Sequence, residues 1–212
     1  MDRSGSYFDG VEQHSLSVWS VHAADLAREV QEQLQCWPDT PTTRSLVADG
    51  LLTPVRPGLY LPGGQRLSMP DRAVAIGCAL GPELRGHHVI AGTSAAWVLL
   101  GGSLPRPLDL LTTRRPHRIA GVRVRQGTVD RAGVESIGGA PITVPARTAV
   151  DLLRFTPEHR AVQLVAALVD SGHCRAAEVE DRIAALDAHP YARRARDLWC
   201  RLLRTGPARA AA

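Results

Sequence analysis

The chain contains no lysine and no asparagine, so every fixed positive charge is an arginine. Lysine and asparagine use AT-rich codons, and their absence points to a GC-rich coding sequence. The arginine content is therefore partly codon bias, which weakens a high pI as an argument for nucleic acid. The four cysteines, Cys36, Cys78, Cys174 and Cys200, are scattered without a close pair, which excludes a disulfide scaffold. Glycine and proline follow no triplet period, so the chain is not collagenous. Long apolar runs are missing too. The longest uncharged stretch, between Arg85 and Arg106, is broken by His87, His88, Gly92 and Gly101-Gly102, and a spanning helix needs about 20 mostly apolar residues. No apolar run follows Met1-Asp2-Arg3-Ser4-Gly5, so no signal peptide is expected and a reducing cytoplasm is the expected location.

What is present suits one ordinary domain or two small ones: 212 residues, 44% hydrophobic and 22% charged. That balance is too apolar for a wholly disordered chain. The charge is unevenly placed. Residues 1–50 hold three Arg against eight acidic residues, whereas residues 101–131 and 191–212 each carry a net charge of +5. Basic character thus sits in two blocks, neither of them N-terminal.

Helical spacing of Ala27, Val30 and Leu34 predicts a first helix over Ala23–Gln35. A short second helix is expected from about Thr42 to Asp49, with Thr40 as cap, Pro41 in the first turn and Gly50 as the left-handed stop. Leu51–Val55 and Leu59–Leu61 flank Arg56-Pro57-Gly58 and read as a hairpin, with Tyr60 and Leu59 in its core. Helix, turn, short helix and hairpin is the order of a winged helix-turn-helix, and it is also the order of a plain αββ packing unit. From Met69 the pattern changes. Helices are expected over 71–81 and 92–101, and strands over Leu108–Thr113, Ile119–Arg125 and Pro141–Val144. Further helices are expected from Pro145 to Leu153 and over 158–170, 176–186 and 190–204. Gly101-Gly102 and Gly138-Gly139 read as turns. Val122 and Val124 alternate with Arg123 and Arg125, which puts both arginines on one face of a strand. Arg147 and Asp151 stand at i,i+4 on one helix. Helices, then a small sheet, then helices give an α+β class: an N-terminal winged helix-turn-helix (1–68), then a small mixed-sheet α/β domain ending in helices (69–212).

Several segments resemble the AbiEi-type antitoxin family of type IV toxin–antitoxin systems. They are Arg44-x-Leu46-Val47-x-x-Gly50-x-Leu52-x-x-Val55-x-x-Gly58-x-Tyr60, Gly92-Thr93-Ser94-Ala95-Ala96-Trp97, Gly121-Val122-Arg123-Val124-Arg125, and Ile142-Thr143-Val144-Pro145-Ala146-Arg147-Thr148-Ala149-Val150-Asp151-Leu152. The last is the most specific, and the whole spans roughly residues 40–155. The resemblance implies a non-enzymatic antitoxin. Its winged helix would bind inverted repeats of double-stranded DNA in its own promoter and repress it. Its second domain would counter a nucleotidyltransferase-like toxin encoded nearby. Three features depart from the family pattern: the acidic N-terminal segment, Gly92-Thr93 where relatives often have a His near the Ser-Ala-Ala motif, and no acidic metal cluster after Arg193-Arg194-Ala195-Arg196. Nuclease chemistry is therefore not expected.

In this reading Thr42, Thr43 and Arg44 lie on the recognition helix, where Arg can reach a guanine edge and Thr a phosphate. Arg44 could instead pair with Asp49. Arg56 at the wing turn, and more weakly Arg66, are candidates for backbone or minor-groove contact; a plain turn residue is the alternative for Arg56. Arg114, Arg115, Arg118, Arg123 and Arg125 could meet phosphate, RNA or an acidic partner, or simply form a solvated sheet face. Ala195, Leu198, Trp199 and Leu202 form a helical stripe expected in the core, with Asp197 able to pair with Arg193 or Arg201. His87-His88 and His173-Cys174 lack the further ligands a structural zinc needs, so no metal or cofactor is expected. Two other functions stay open: an interaction module that no longer binds DNA, and a remnant of a nuclease-bearing relative.

Overall fold

A computed structural model describes residues 35–56, 58–64, 67–129, 131–187 and 189–206. The expected first helix, apart from Gln35, and Arg66 lie outside the described residues. The fold is mixed α+β, with seven α-helices and two sheets among the described residues. None of these helices is long and apolar enough to cross a membrane. The chain divides into two compact units, one formed by residues up to His88 with Ser136–Ala140, the other by Val89–Glu135 with Pro141 onward. Composition changes at Met69, but the helix that starts there clusters with the residues before it.

In the first unit, β1 is Gln35–Cys36, α1 is Pro41–Ala48, and β2 (Leu52–Arg56) and β3 (Leu59–Pro62) make an antiparallel hairpin. Gln35, expected as the end of a helix, is instead in a strand that pairs with β3, giving the sheet order β1-β3-β2. The period-3.6 signal carried no information about a two-residue strand, which exists only through its partner. Helix α1 is bounded as its sequence dictates. The Thr40 hydroxyl accepts the Thr43 N–H at 3.2 Å, and Pro41 occupies the first turn, where a missing N–H costs nothing. At the far end Gly50 turns left-handed (φ 72°). The Leu51 N–H then reaches the Leu46 carbonyl at 2.9 Å and the Gly50 N–H reaches Val47 at 3.1 Å, a Schellman closure. Leu52, Tyr60 and Leu61 are buried, with Leu52 and Tyr60 on one face of the hairpin and Leu61 on the other. Helix α2 (Met69–Leu80) starts with a capping box between Ser68 and Asp71.

The five-stranded sheet has the order β6-β5-β4-β8-β7, from β4 (His88–Ile90), β5 (Leu108–Thr112), β6 (Val122–Gln126), β7 (Val134–Ile137) and β8 (Ala140–Thr143). Strands β5 and β6 pair in parallel, as do β4 and β8. Helix α3 (Gly92–Leu100) follows β4, and α4 (Pro145–Phe155), α5 (Glu158–Asp170), α6 (Ala176–Ala184) and α7 (Ala192–Thr205) complete the chain. Helix α4 is central, packing against α3, α5, α6 and α7. It buries Ala149, Leu152 and Leu153 completely. Ala195, Leu198, Trp199 and Leu202 of α7 are buried, so that stripe is core.

Candidate functional site

The second unit is organised around two buried carboxylates. Asp109 is the one charge in the otherwise apolar strand Leu108-Asp109-Leu110-Leu111, every residue of which is buried. A carboxylate 1% exposed must find partners or neutralise. Its Oδ2 accepts the Thr93 N–H at 3.1 Å and the Thr93 hydroxyl at 2.6 Å. Its Oδ1 accepts Arg123 Nη1 at 3.2 Å and Arg125 Nη1 at 3.1 Å, and its own backbone N–H donates to Ser94 Oγ at 2.8 Å. Thr93 and Ser94 are in the first turn of α3, whose N–H groups and dipole favour an anion. Gly92 makes the approach possible. It has φ 52°, and a β-carbon there would stand 3.0 Å from Asp109 Oδ2. The Gly-Thr-Ser sequence is thus a cradle for the strand's carboxylate.

Asp151 is the second. It lies on α4, 6% exposed, between Arg147 Nε at 3.2 Å and Arg154 Nη1 at 3.4 Å. Burial pushes its carboxyl above the usual range, and Arg147, Arg154 and Arg125 pull the other way. The segment that carries it starts at a stitched corner: the Thr148 hydroxyl donates to the Thr143 carbonyl at 2.9 Å and the two hydroxyls lie 2.8 Å apart. This joins the end of β8 to the first turn of α4 and points Arg147 and Asp151 along one face.

That face forms a wall of a cleft of about 640 Å³. Arg125, Arg147, Arg154 and Arg182 reach into it, with Asp151 as its one carboxylate. Leu110, Leu111, Val150 and Leu186 supply apolar surface, and Phe155 and His189 also line it. The Phe155 ring is covered by two guanidiniums, with Arg125 at 4.6 Å and Arg154 at 4.5 Å from its centroid. The arginines are also tied to backbone: Arg147 Nη2 to the Thr128 carbonyl at 3.2 Å, Arg154 Nε to Pro190 at 3.1 Å, and Arg182 Nη2 to Ala132 at 2.7 Å.

The residues singled out from sequence fall in different places. Arg44 and Thr42 are exposed on α1. Arg44 pairs not with Asp49 but with Asp39, Nε to Oδ1 at 3.0 Å. Thr43 is not a surface residue. It is 1% exposed, and its hydroxyl donates to the Pro38 carbonyl at 2.7 Å, so it holds the helix entry together instead of meeting a phosphate. Arg56 ends β2 beside the hairpin turn. Arg114, Arg115 and Arg118 are exposed together on the loop after β5. Arg123 and Arg125 do share one face, as the alternation predicts, but that face is turned to Asp109. They are charge partners of a buried carboxylate, and Arg123 is still 46% and Arg125 23% exposed. Arg201 pairs with Glu158 of α5 at 2.6 Å.

Sequence reasoning found the Arg147–Asp151 pair but missed Arg154, Phe155, Arg182 and His189, which the fold gathers from separate elements. It also passed over Asp109, although a charge inside an apolar strand was a readable signal. Among the described residues no group of three or more His, Cys, Asp or Glu could hold a metal ion. No family model matches the chain, and no curated protein matches it.

Proposed function

We propose that this chain is a DNA-binding regulator of the antitoxin type, with the first unit as its winged helix. The observation that carries the reading is helix α1, which presents Thr42 and Arg44 to solvent and runs directly into an antiparallel hairpin with Arg56 beside its turn. The third strand on the far side of β3 is the frame a winged helix uses to brace its wing. Arg44 is available for DNA. Its ion pair with Asp39 has both side chains at least 70% exposed, and such pairs contribute about 0–1 kcal/mol. Exchanging Asp39 for a guanine edge or a phosphate therefore costs little. The net charge of −5 over residues 1–50 disfavours loose phosphate binding, so affinity must come from a few base contacts.

The test is fluorescence anisotropy with a duplex from upstream of the protein's own gene and a scrambled duplex, at about 0.15 M salt. Selective binding is expected. Arg44→Ala should weaken it by about 1–3 kcal/mol, the value of one good base contact, and Arg56→Ala should lower it too. Unchanged affinity in both variants would remove the placement of the interface.

A second reading rests on the exposed Arg114, Arg115 and Arg118 loop, which suits an acidic protein surface such as that of a toxin encoded nearby. Co-purification with that neighbour, lost when the three arginines become Gln, with no DNA retardation, would put the interaction reading first.

A further inference from the structure

We propose that the arginine-lined cleft of the second unit is a binding site for a small phosphomonoester with an apolar body, of the size of a nucleoside monophosphate. This site lies within the second unit and is independent of the DNA-binding reading of the first.

Charge is the first argument. Four guanidiniums face one carboxylate. Arg147 and Arg154 are already committed to Asp151, and Arg125 to Asp109. Even so, the cleft keeps an excess of positive charge in a partly dehydrated place. The side chains of Arg125, Arg147 and Arg154 are only 23%, 17% and 11% exposed. Like charges gathered this way repel, and a bound dianion offsets that repulsion. Arg154 carries the mark of it. Burial pulls its guanidinium below the ordinary value, Asp151 opposes this, and Arg147 and Arg125 pull it further down.

Unused donors are the second argument. A guanidinium has five N–H groups. Within the protein, Arg125 and Arg182 each donate once, and Arg147 and Arg154 twice each. Most of the donors are thus not used by the protein itself, and a phosphate offers three terminal oxygens in the forked geometry guanidinium prefers. These bonds also anchor the arginines to the Thr128, Ala132 and Pro190 carbonyls and to Asp151, so their positions are set before a ligand arrives.

Shape is the third. The volume of about 640 Å³ lies within the roughly 300–1,000 Å³ typical of small-molecule sites. Leu110, Leu111, Val150 and Leu186 add apolar surface to the lining, which a bare inorganic anion leaves uncovered and an organic ester fills. A duplex is a poor fit, because its phosphates ride on a convex backbone while these arginines are sunk in a concavity.

The experiment is calorimetric titration of the full chain with adenosine 5′-monophosphate, ribose 5-phosphate, inorganic phosphate, adenosine and succinate. Saturable binding is expected for adenosine 5′-monophosphate, weaker binding for ribose 5-phosphate and phosphate, and none for adenosine. Arg182→Gln should weaken binding about ten- to a hundredfold, the range for one charge-assisted contact. That variant removes a single bond to a carbonyl and leaves both buried carboxylates paired. Ala185→Trp, on the cleft wall, should block the site without changing charge, and Arg118→Gln on the exposed loop should bind as the unmodified chain does. Melting curves establish that each variant is folded. The proposal is overturned by no binding of any phosphate ester, by unchanged affinity in both Arg182→Gln and Ala185→Trp, or by succinate preferred over the esters. Displacement of adenosine 5′-monophosphate by a short duplex also overturns it, since the cleft would then be part of a nucleic-acid surface.

Discussion

Replacing Asp109 by Asn is the most direct test of how the second unit is held together. The substitution keeps the shape and removes one charge. An amide presents one acceptor and one donor group, whereas the site needs two acceptors: one toward Thr93 N–H and Oγ1, one toward Arg123 and Arg125. Whichever way Asn turns, its NH₂ faces donors. Breaking a buried ion pair by removing one partner costs about 3–5 kcal/mol. Here the orphaned guanidiniums have some recourse to water, since Arg123 is 46% and Arg125 23% exposed, so the lower end, about 3 kcal/mol, is expected.

The partners should rank differently. Arg123→Gln removes a half-exposed cation, leaves Arg125 on the same carboxylate oxygen, and should cost less than about 1 kcal/mol. Arg125→Gln also loses its contact with Phe155 and should cost about 1–2 kcal/mol. Urea unfolding followed by tryptophan fluorescence reads this order, because Trp97 and Trp199 are both buried in the second unit. The midpoint should move at an unchanged slope. An Asp109→Asn variant within about 1 kcal/mol of the unmodified chain, or an Arg123→Gln variant as damaging as Asp109→Asn, would refute the account of a desolvated hub.

Gly92→Ala combines a left-handed φ of 52° with a β-carbon 3.0 Å from Asp109 Oδ2, so a loss of at least about 1–2 kcal/mol is expected by the same unfolding assay; a neutral result would mean that the Asp109 cradle is not tight. Cys174 is buried and its thiol is pushed up to about 11, first by burial and then by Glu178. At pH 8 iodoacetamide should therefore label exposed Cys200 well before Cys174, as peptide mass spectrometry can follow, and equal rates in the folded protein would contradict the packing. Asp151 supplies a pH dependence. Its folded carboxyl sits above the ordinary value of 3.8, chiefly through burial, so the folded state holds the proton more tightly than the unfolded chain. That contribution is full below the ordinary value and is lost as pH rises through the folded one. The stability advantage of the unmodified chain over Asp151→Asn should accordingly shrink as pH rises above the ordinary carboxylate value, and a widening gap would reverse the sign of the burial effect.

Much of this architecture is legible in single residues. Pro41 and Gly50 bracket α1, and Leu51-Leu52 and Leu59-Tyr60-Leu61 announce the hairpin, because caps and turns act within a few residues. The helices of the second unit also follow from local periodicity, with Glu158–Asp170 matching the sequence reading. Elements that exist only through a distant partner left little trace. Gln35–Cys36 is a strand because β3 lies beside it. Val134–Ile137 and His88–Ile90 are strands because of the sheet they enter. A short segment whose hydrogen bonds are all made elsewhere carries no period of its own.

The same division explains what the charge pattern left open. Alternation at Val122–Arg125 correctly predicts one face for Arg123 and Arg125, but nothing local says whether that face meets water or a carboxylate. The answer lay in Asp109, fourteen residues earlier than Arg123, where a charge inside an apolar strand has to be met by something. Arginine bias makes such pairing harder to see, since each guanidinium looks equally available. The structure separates them by what they touch. Arg123 and Arg125 answer Asp109, and Arg147 and Arg154 answer Asp151. Arg114, Arg115 and Arg118 stand in solvent. A partner that needs exposed cations can meet the loop after β5, Arg44 on α1, or Arg193, Arg196 and Arg204 on α7, among others. A ligand that needs cations held in place has the cleft, where Arg182 is the residue that can be removed without disturbing either buried carboxylate.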